Sequence, residues 1–316
     1  MVYFFYTVLS YPFIALYDAG ASIFRAQENT RGPMVISIIS NVMNIVGNGI
    51  LIWVFHMGVA GAAISTLVSR IFCAVVVLYQ LRKNRQPIVV RDYLKIRPDG
   101  KMIGRILALG IPSGIENSMF QLGKLAIQST VSTLGTTAIA AQAMTNMLEM
   151  LNGTAVIGVG IGLMTVVGQS LGAGRKDEAV YYMKKLMAFS EVFLIICCAV
   201  VYALARPITM IGGMEAKSAE MCLDMMFWIT IVKPIVWMFA FIPAYGMRAA
   251  GDVKFSMITS CITMWTFRFC LCVYLIRVCG MGPMAVWIGM FTDWTVRAIV
   301  FGLRFKSGKW MEHKVV

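Results

Sequence analysis

The stretch MRAAGDVKFSM (247–257) has a counterpart earlier in the chain, FRAQENTRGPM (24–34). Both copies open with one apolar residue and an Arg-Ala pair, carry a second basic residue at the same spacing, and close on a methionine. One apolar block precedes each copy and two follow it. The repeat predicts that 1–82 and 224–305 are two copies of one unit of three helices.

The composition indicates a membrane protein. The 316 residues are 59% hydrophobic and 14% charged, with a mean hydropathy of +0.76, whereas a soluble domain carries about 25% charged residues. The apolar residues form nine blocks, each long enough to cross about 30 Å of hydrocarbon as a helix. The blocks are 2–24, 34–55, 60–81, 106–134, 138–168, 187–205, 221–246, 255–276 and 283–303. No alternating pattern of the barrel type is present, so the predicted class is an all-α polytopic membrane protein with about nine transmembrane helices.

Internal repeats of this kind are typical of secondary transporters. Three further apolar blocks precede the second copy, whereas the first copy begins the chain. The simplest interpretation is a two-lobed architecture of six plus six helices without its first three. Residues 1–82 are then a partial N-lobe of three helices, 83–105 a cytoplasmic linker, and 106–316 a C-lobe of six helices with a short cytoplasmic tail. Both halves then share one topology, so the repeat axis is expected to run along the membrane normal.

The formal charge of +13 does not indicate a nucleic-acid partner, because the basic residues follow the loops. Threading nine spans through a bilayer places most of the 28 Lys and Arg residues on one side, among them those of the 82–105 segment and the C-terminal tail. The opposite side receives Arg206, Lys217 and Arg277. Such a bias marks the cytoplasmic side, so the chain is predicted to be a multi-pass protein of the cytoplasmic membrane with its C-terminus in the cytoplasm.

Charged and polar residues inside the predicted spans are the candidate functional residues. Glu116, Phe120 and Lys124 follow at i, i+4 and i+8 and therefore share one helix face. Glu116 is expected near the bilayer midplane, where transporters bind substrates and ions. One turn earlier, Pro112 lacks a backbone donor and is a candidate hinge. A purely structural role, in which Glu116 and Lys124 satisfy neighbouring polar groups, is the alternative.

A second polar face lies on the next predicted span, with residues spaced by three and four. It consists of Gln142, Asn146, Glu149 and Asn152. Such a face looks into a bundle or a water-filled cavity, where it binds a cation or a proton, or else makes helix-to-helix hydrogen bonds. Asp18, in the first span, is a further candidate for ion or substrate binding. Asp293 and Arg297, four residues apart, are predicted to neutralise each other as a structural ion pair.

Four segments together resemble the multidrug and toxic compound extrusion (MATE) family, in its bacterial form. They are VVGQSLGAGRKDEA (166–179), GMRAAGD (246–252), LGIPSGIENSMFQLGK (109–124) and GMFTDWTVRAIVFGLRFKSGKW (289–310). The resemblance covers nearly the whole chain, as helices four to twelve of the family's twelve.

The resemblance implies a cation-coupled antiporter that exports amphipathic or cationic drugs and toxic compounds by alternating access. In that family an acid of the seventh helix serves cation coupling in several branches, and Glu116 resembles it. The acid of the tenth helix in the sodium-coupled branch has no counterpart here, where Lys233 lies close by. H⁺ and Na⁺ therefore both remain candidates for the coupling ion. The expected partners are small molecules and membrane lipid, no cofactor is expected, and the protein is expected to be a monomer.

Three alternatives to an active antiporter remain open. A flippase for lipid-linked precursors, built on a related fold, needs several cations in its cavity for pyrophosphate. The candidates within spans are Arg70, Lys124, Lys233, Arg268 and Arg297. A truncated fragment without activity is the second alternative. The third is a membrane enzyme, which is disfavoured because no HExxH, GxSxG or histidine cluster is present. The eight Cys and two His residues show no paired CxxC spacing and indicate no metal site.

Overall fold

The computed structural model describes residues 2–82 and 99–312, and within those ranges the chain is helical with short turns and no strand. The chain divides into two compact units, Met1–Pro98 and Asp99–Val316. The first unit holds α1 (Val2–Ala26), α2 (Arg31–Gly49) with a π-helical continuation (Ile50–Val54), and α3 (Gly58–Leu81). Its apolar core forms where α1, α2 and α3 meet, around Phe24, Ile36 and Val77.

The second unit is larger. Its elements are α4 (Gly100–Val131), α5 (Thr136–Gly172), α6 (Lys176–Ile211), α7 (Ala216–Ala249), α8 (Val253–Thr263), a π-helical segment (Met264–Cys270), α9 (Leu271–Arg277) and α10 (Met284–Lys306). α5, α6, α7 and α10 pack into one core that includes Trp287 and Trp294, whereas α4 packs mainly on α8 and the π-helical segment. α8, the π-helical segment and α9 form one unbroken span.

Each of the nine predicted apolar blocks lies in a helical span of the described residues. Seven of these spans are long and apolar enough to cross a membrane: Arg31–Val54, Gly58–Leu81, Thr136–Gly172, Lys176–Ile211, Ala216–Ala249, Val253–Arg277 and Met284–Lys306. α1 and α4 have the length but not the hydropathy, because polar and charged residues interrupt their apolar runs. The chain is thus an all-α, multi-pass membrane protein.

α4 begins earlier than the sequence indicates. The carboxylate of Asp99 caps the helix by accepting hydrogen bonds from the backbone N–H groups of Lys101 and Met102, at 2.9 and 3.4 Å. An aspartate at this position satisfies the free donors of a first helical turn, so the helix starts at Gly100 although charged residues follow. The predicted linker, 83–105, therefore includes helical residues from Gly100 onward, and its residues 83–98 lie outside the described residues.

The two copies of the repeat fold into the same turn. After α7, the N–H of Asp252 donates to the carbonyl of Met247 at 2.9 Å, and Gly251 has a φ of 87°. After α1, the N–H of Asn29 donates to the carbonyl of Phe24 at 3.0 Å, and the residue in the left-handed conformation is Glu28, with a φ of 63°. In both turns a residue in the left-handed conformation ends the helix and a backbone hydrogen bond closes its last turn, an arrangement in which glycine is the usual left-handed residue. The repeated stretch therefore ends one helix and begins the next.

Candidate functional site

A cavity of about 300 Å³ lies within the second unit, among α4, α5, α7, α10 and the span that contains the π-helical segment. Its polar lining includes both carboxylates singled out from the sequence, Glu116 and Glu149, together with Lys124. Aromatic side chains supply much of the remaining wall. They are Phe120, Trp237, Phe241, Tyr245, Trp294 and Phe301.

Glu116 lies near the middle of α4 and is 7% exposed. Its Oε1 accepts a hydrogen bond from Nη2 of Arg248 at 2.7 Å, whereas its Oε2 is buried and has no hydrogen-bond partner among the residues that the structure describes. Arg248 occupies the last turn of α7 and reaches across to α4. One oxygen of the Glu116 carboxylate is therefore paired with a cation on another helix.

Glu149 on α5 is paired in the same manner. The ammonium group of Lys233, which is fully buried on α7, lies 2.6 Å from Oε1 of Glu149 and 3.0 Å from its backbone carbonyl. The same group lies 5.2 Å from the centre of the Trp237 ring. A buried ammonium needs such compensation, because its transfer out of water costs several kcal/mol.

One face of α7 provides both cations and much of the aromatic wall. Lys233, Trp237, Phe241 and Tyr245 follow at intervals of four, and Arg248 comes three residues later. This face was not predicted from the sequence as a unit, because Arg248 lies beyond the apolar block 221–246 that contains the other four residues. The i, i+4 repetition of aromatic residues between two cations was the signal that could have found it.

Three cations surround the ring of Phe120 on α4. Lys124, Arg268 and Arg297 lie 5.1, 5.3 and 5.8 Å from its centre. Arg297 is fully engaged, since its Nε donates to Asp293 at 2.7 Å and its two terminal nitrogens donate to Ser260 at 3.1 Å. Arg268 is 6% exposed, and its Nε has no hydrogen-bond partner among the described residues.

The remaining predicted site residues lie elsewhere. Gln142 accepts a hydrogen bond from the indole of Trp287 at 3.1 Å and donates to Asn146 at 3.4 Å, so this pair takes part in helix packing. Asn152 is fully buried, and neither of its amide atoms has a hydrogen-bond partner in the part of the chain that is described. Asp18 is exposed on α1 of the first unit. α4 is an uninterrupted helix through Pro112, which is buried.

Two family models match the chain. The MatE model matches residues 112–274, and a model described as Lipid II flippase MurJ matches residues 3–97. Among curated proteins, a probable multidrug resistance protein NorM from Thermotoga maritima is 25% identical over 98% of this chain and 66% of its own length. A probable multidrug resistance protein YoeA from Bacillus subtilis is 24% identical over 88% of this chain and 61% of its own length. The chain thus spans a little less than two thirds of the length of these relatives.

Solved structures of MATE transporters share the fold. A crystal structure of MATE in the straight conformation has a TM-score of 0.82 with 18% identity, covering 98% of this chain and 70% of the other. An outward-facing multidrug resistance MATE family transporter of the MOP superfamily has a TM-score of 0.82 with 19% identity, covering 94% and 67%. Because the MatE model alone covers more than half of the residues, the chain belongs to the MATE family and is of the bacterial type.

Proposed function

We propose that the chain belongs to a secondary antiporter that exports amphipathic compounds across the cytoplasmic membrane, driven by inward movement of H⁺ or Na⁺. The observation that carries this proposal is the state of Glu116. It is a buried carboxylate with one oxygen on Arg248 and one oxygen without a partner. An orphaned carboxylate oxygen at a cavity wall is a natural acceptor for a proton or a sodium ion.

Coupling follows from the ion pair between α4 and α7. A proton or Na⁺ at Oε2 weakens the attraction of Glu116 to Arg248, because a proton removes the negative charge of the carboxylate and a bound Na⁺ offsets it. α4 is then held chiefly by its packing on α8 and the π-helical segment. In this mechanism the cation controls how tightly α4 is held against α7. Glu149 and Lys233 form a second pair of the same kind between α5 and α7.

The carboxylates are therefore assigned to coupling. Neither Glu116 nor Glu149 is assigned to binding a cationic drug, because both have intramolecular cations at hydrogen-bond distance. The aromatic wall is assigned to the apolar body of the substrate, since π faces accept flat hydrophobic molecules in many orientations.

The proposal includes orientation and organisation. Residues 1–82 are part of the N-lobe, 83–105 the cytoplasmic linker and 106–316 the C-lobe, with the C-terminus in the cytoplasm. The excess of Lys and Arg on the linker side supports this orientation. The protein is proposed to act as a monomer in contact with lipid.

A second candidate function is flipping of a lipid-linked precursor. The match of residues 3–97 to the Lipid II flippase MurJ model favours it. In the first unit Arg70 is half-buried and donates a short hydrogen bond to Ser10, and in the second unit Lys124 and Arg268 line the cavity. Cations of this kind could hold a phosphate group.

Dye efflux tests the proposed function. Cells without their own major efflux pumps are loaded with ethidium, a cation, or carboxyfluorescein, an anion, and efflux is compared with and without the protein. Efflux of either dye that stops when the proton or sodium gradient is collapsed supports antiport and names the ion. Efflux that survives collapse of both gradients, or none of either dye from cells with verified expression, contradicts it.

A further inference from the structure

We propose that the cavity of the second unit binds the anionic group of an amphipathic organic molecule, seated between Arg268 and Lys124 beside the ring of Phe120. The inference rests on the proposed function, because it names the substrate class of the same cavity. It reverses the expectation of a cationic ligand.

Arg268 provides the first support. Arg268 is 6% exposed and lines the cavity, and among the described residues its side chain has neither an ion pair nor a hydrogen bond. An unpaired buried guanidinium is costly, so a group retained in that state needs a ligand that arrives from outside the chain. A guanidinium fork matches the two oxygens of a carboxylate or phosphate.

The charge balance around the cavity provides the second support. Among the described residues that line it or bond to its lining, the cations are Lys124, Lys233, Arg248, Arg268 and Arg297, and the carboxylates are Glu116, Glu149 and Asp293. Three pairs take all three carboxylates. Lys124 and Arg268 are left over, and both approach the same ring, that of Phe120.

The local backbone provides the third support. Arg268 lies in the π-helical segment, a form that is rare in proteins and is frequently found at functional sites. α10 approaches this segment closely, since a Cβ on Gly289 would lie 2.9 Å from the backbone carbonyl oxygen of Arg268. The backbone that carries the guanidinium is therefore held in place by its neighbour, which suits a group that must be positioned before its ligand arrives.

The test is equilibrium dialysis of the purified 316-residue protein in detergent micelles against three probes that share a naphthyl body. They are 1-naphthylacetate, 1-naphthyl phosphate and 2-(1-naphthyl)ethylammonium. We expect either anion to bind at least tenfold more tightly than the ammonium, and the preferred anion identifies the head group as carboxylate or phosphate. Empty micelles correct for partitioning of the probes.

Variants separate the site from general charge attraction. Arg268→Gln is expected to weaken anion binding tenfold or more, the scale of one charge-assisted hydrogen bond. Arg268→Lys should retain most of the affinity, and Lys185→Gln, which removes an exposed cation on α6, should change nothing. Equal or tighter binding of the ammonium, absence of anion binding, or unchanged affinity in Arg268→Gln would overturn the proposal. Dialysis needs no gradient and no transport. It therefore tests the anion site alone, and the proposed antiport is tested independently by dye efflux.

Discussion

Arg268 and Arg297 lie against the same phenylalanine ring but differ in what neutralises them. Arg297 donates to Asp293 and Ser260, and all three of its nitrogens are engaged, whereas Arg268 has no ion-pair partner in the described ranges. Both arginines are more than nine-tenths buried. Arg297 therefore completes an ion pair, whereas the buried charge of Arg268 lies against the Phe120 ring without an ion pair or a hydrogen bond among the described residues.

This difference predicts the effect of truncating each arginine. Arg297→Met should lower the free energy of unfolding by about 3–5 kcal/mol, because it leaves the fully buried Asp293 without its cation. Arg268→Met should leave the stability unchanged or raise it, because it removes a buried charge that has no ion pair or hydrogen bond among the described residues. Thermal unfolding of the two variants in detergent measures the contrast. A strong destabilisation by Arg268→Met would mean that the guanidinium has a structural partner.

At the scale of single elements, the sequence predicted the helices well and their contacts less well. The apolar blocks reveal the helices, because length and hydropathy are local properties. The start of α4 at Gly100 depends on the capping aspartate Asp99, and hydropathy does not detect helix caps. The pairing of Glu116 with Arg248 joins residues 132 positions apart, so the sequence could name both groups but not their contact. The Asp293–Arg297 pair could be predicted from the sequence because both residues lie on one helix, four positions apart.

The repeated turn gives a prediction at this scale. Glu28 has a φ of 63°, a conformation that costs a residue with a side chain roughly 1 kcal/mol, and Gly251 occupies the matching place after α7. Glu28→Gly should therefore stabilise the protein by about 1 kcal/mol. The reverse exchange, Gly251→Ala, should destabilise it by a similar amount. Thermal unfolding of both variants checks the pair, and a loss of stability in Glu28→Gly would show that the carboxylate has a structural role there.

For the whole molecule, composition and repeat indicate the class, the resemblance of particular segments indicates the family, and the site required the fold. Hydropathy indicates a multi-pass membrane protein, and the glycine-rich 166–179 segment and the 246–252 turn indicate the family. The cavity could not be derived in the same way, because five spans contribute to it and its ion pairs are known only once the side chains have their positions. Of the predicted site residues, Glu116, Lys124 and Glu149 meet there, and Gln142 and Asn146 do not line it.

Orientation in the membrane is a prediction for the whole molecule. Lys309, after α10, should face the cytoplasm, and Glu215, at the turn between α6 and α7, should face the outside, because the basic residues concentrate on the first side. Lys309→Cys and Glu215→Cys, introduced separately into a cysteine-free background, test this with a thiol reagent that does not cross membranes. In intact cells only Glu215→Cys should react. Labelling of Lys309→Cys from outside would show that the protein has the opposite orientation.

Glu116 is proposed to couple cation entry to export, and the Glu116→Gln variant tests that role. The substitution keeps the shape of the side chain and an acceptor for Arg248 but removes the charge that a proton or Na⁺ must neutralise. Glu178→Gln is the matched control, because Glu178 is an exposed acid paired with Arg175 on the surface of α6. The measurement is gradient-driven efflux of the exported dye at equal protein abundance. We expect efflux to be abolished in Glu116→Gln and unchanged in Glu178→Gln, whereas efflux at the unmutated rate in Glu116→Gln would contradict a coupling role for Glu116.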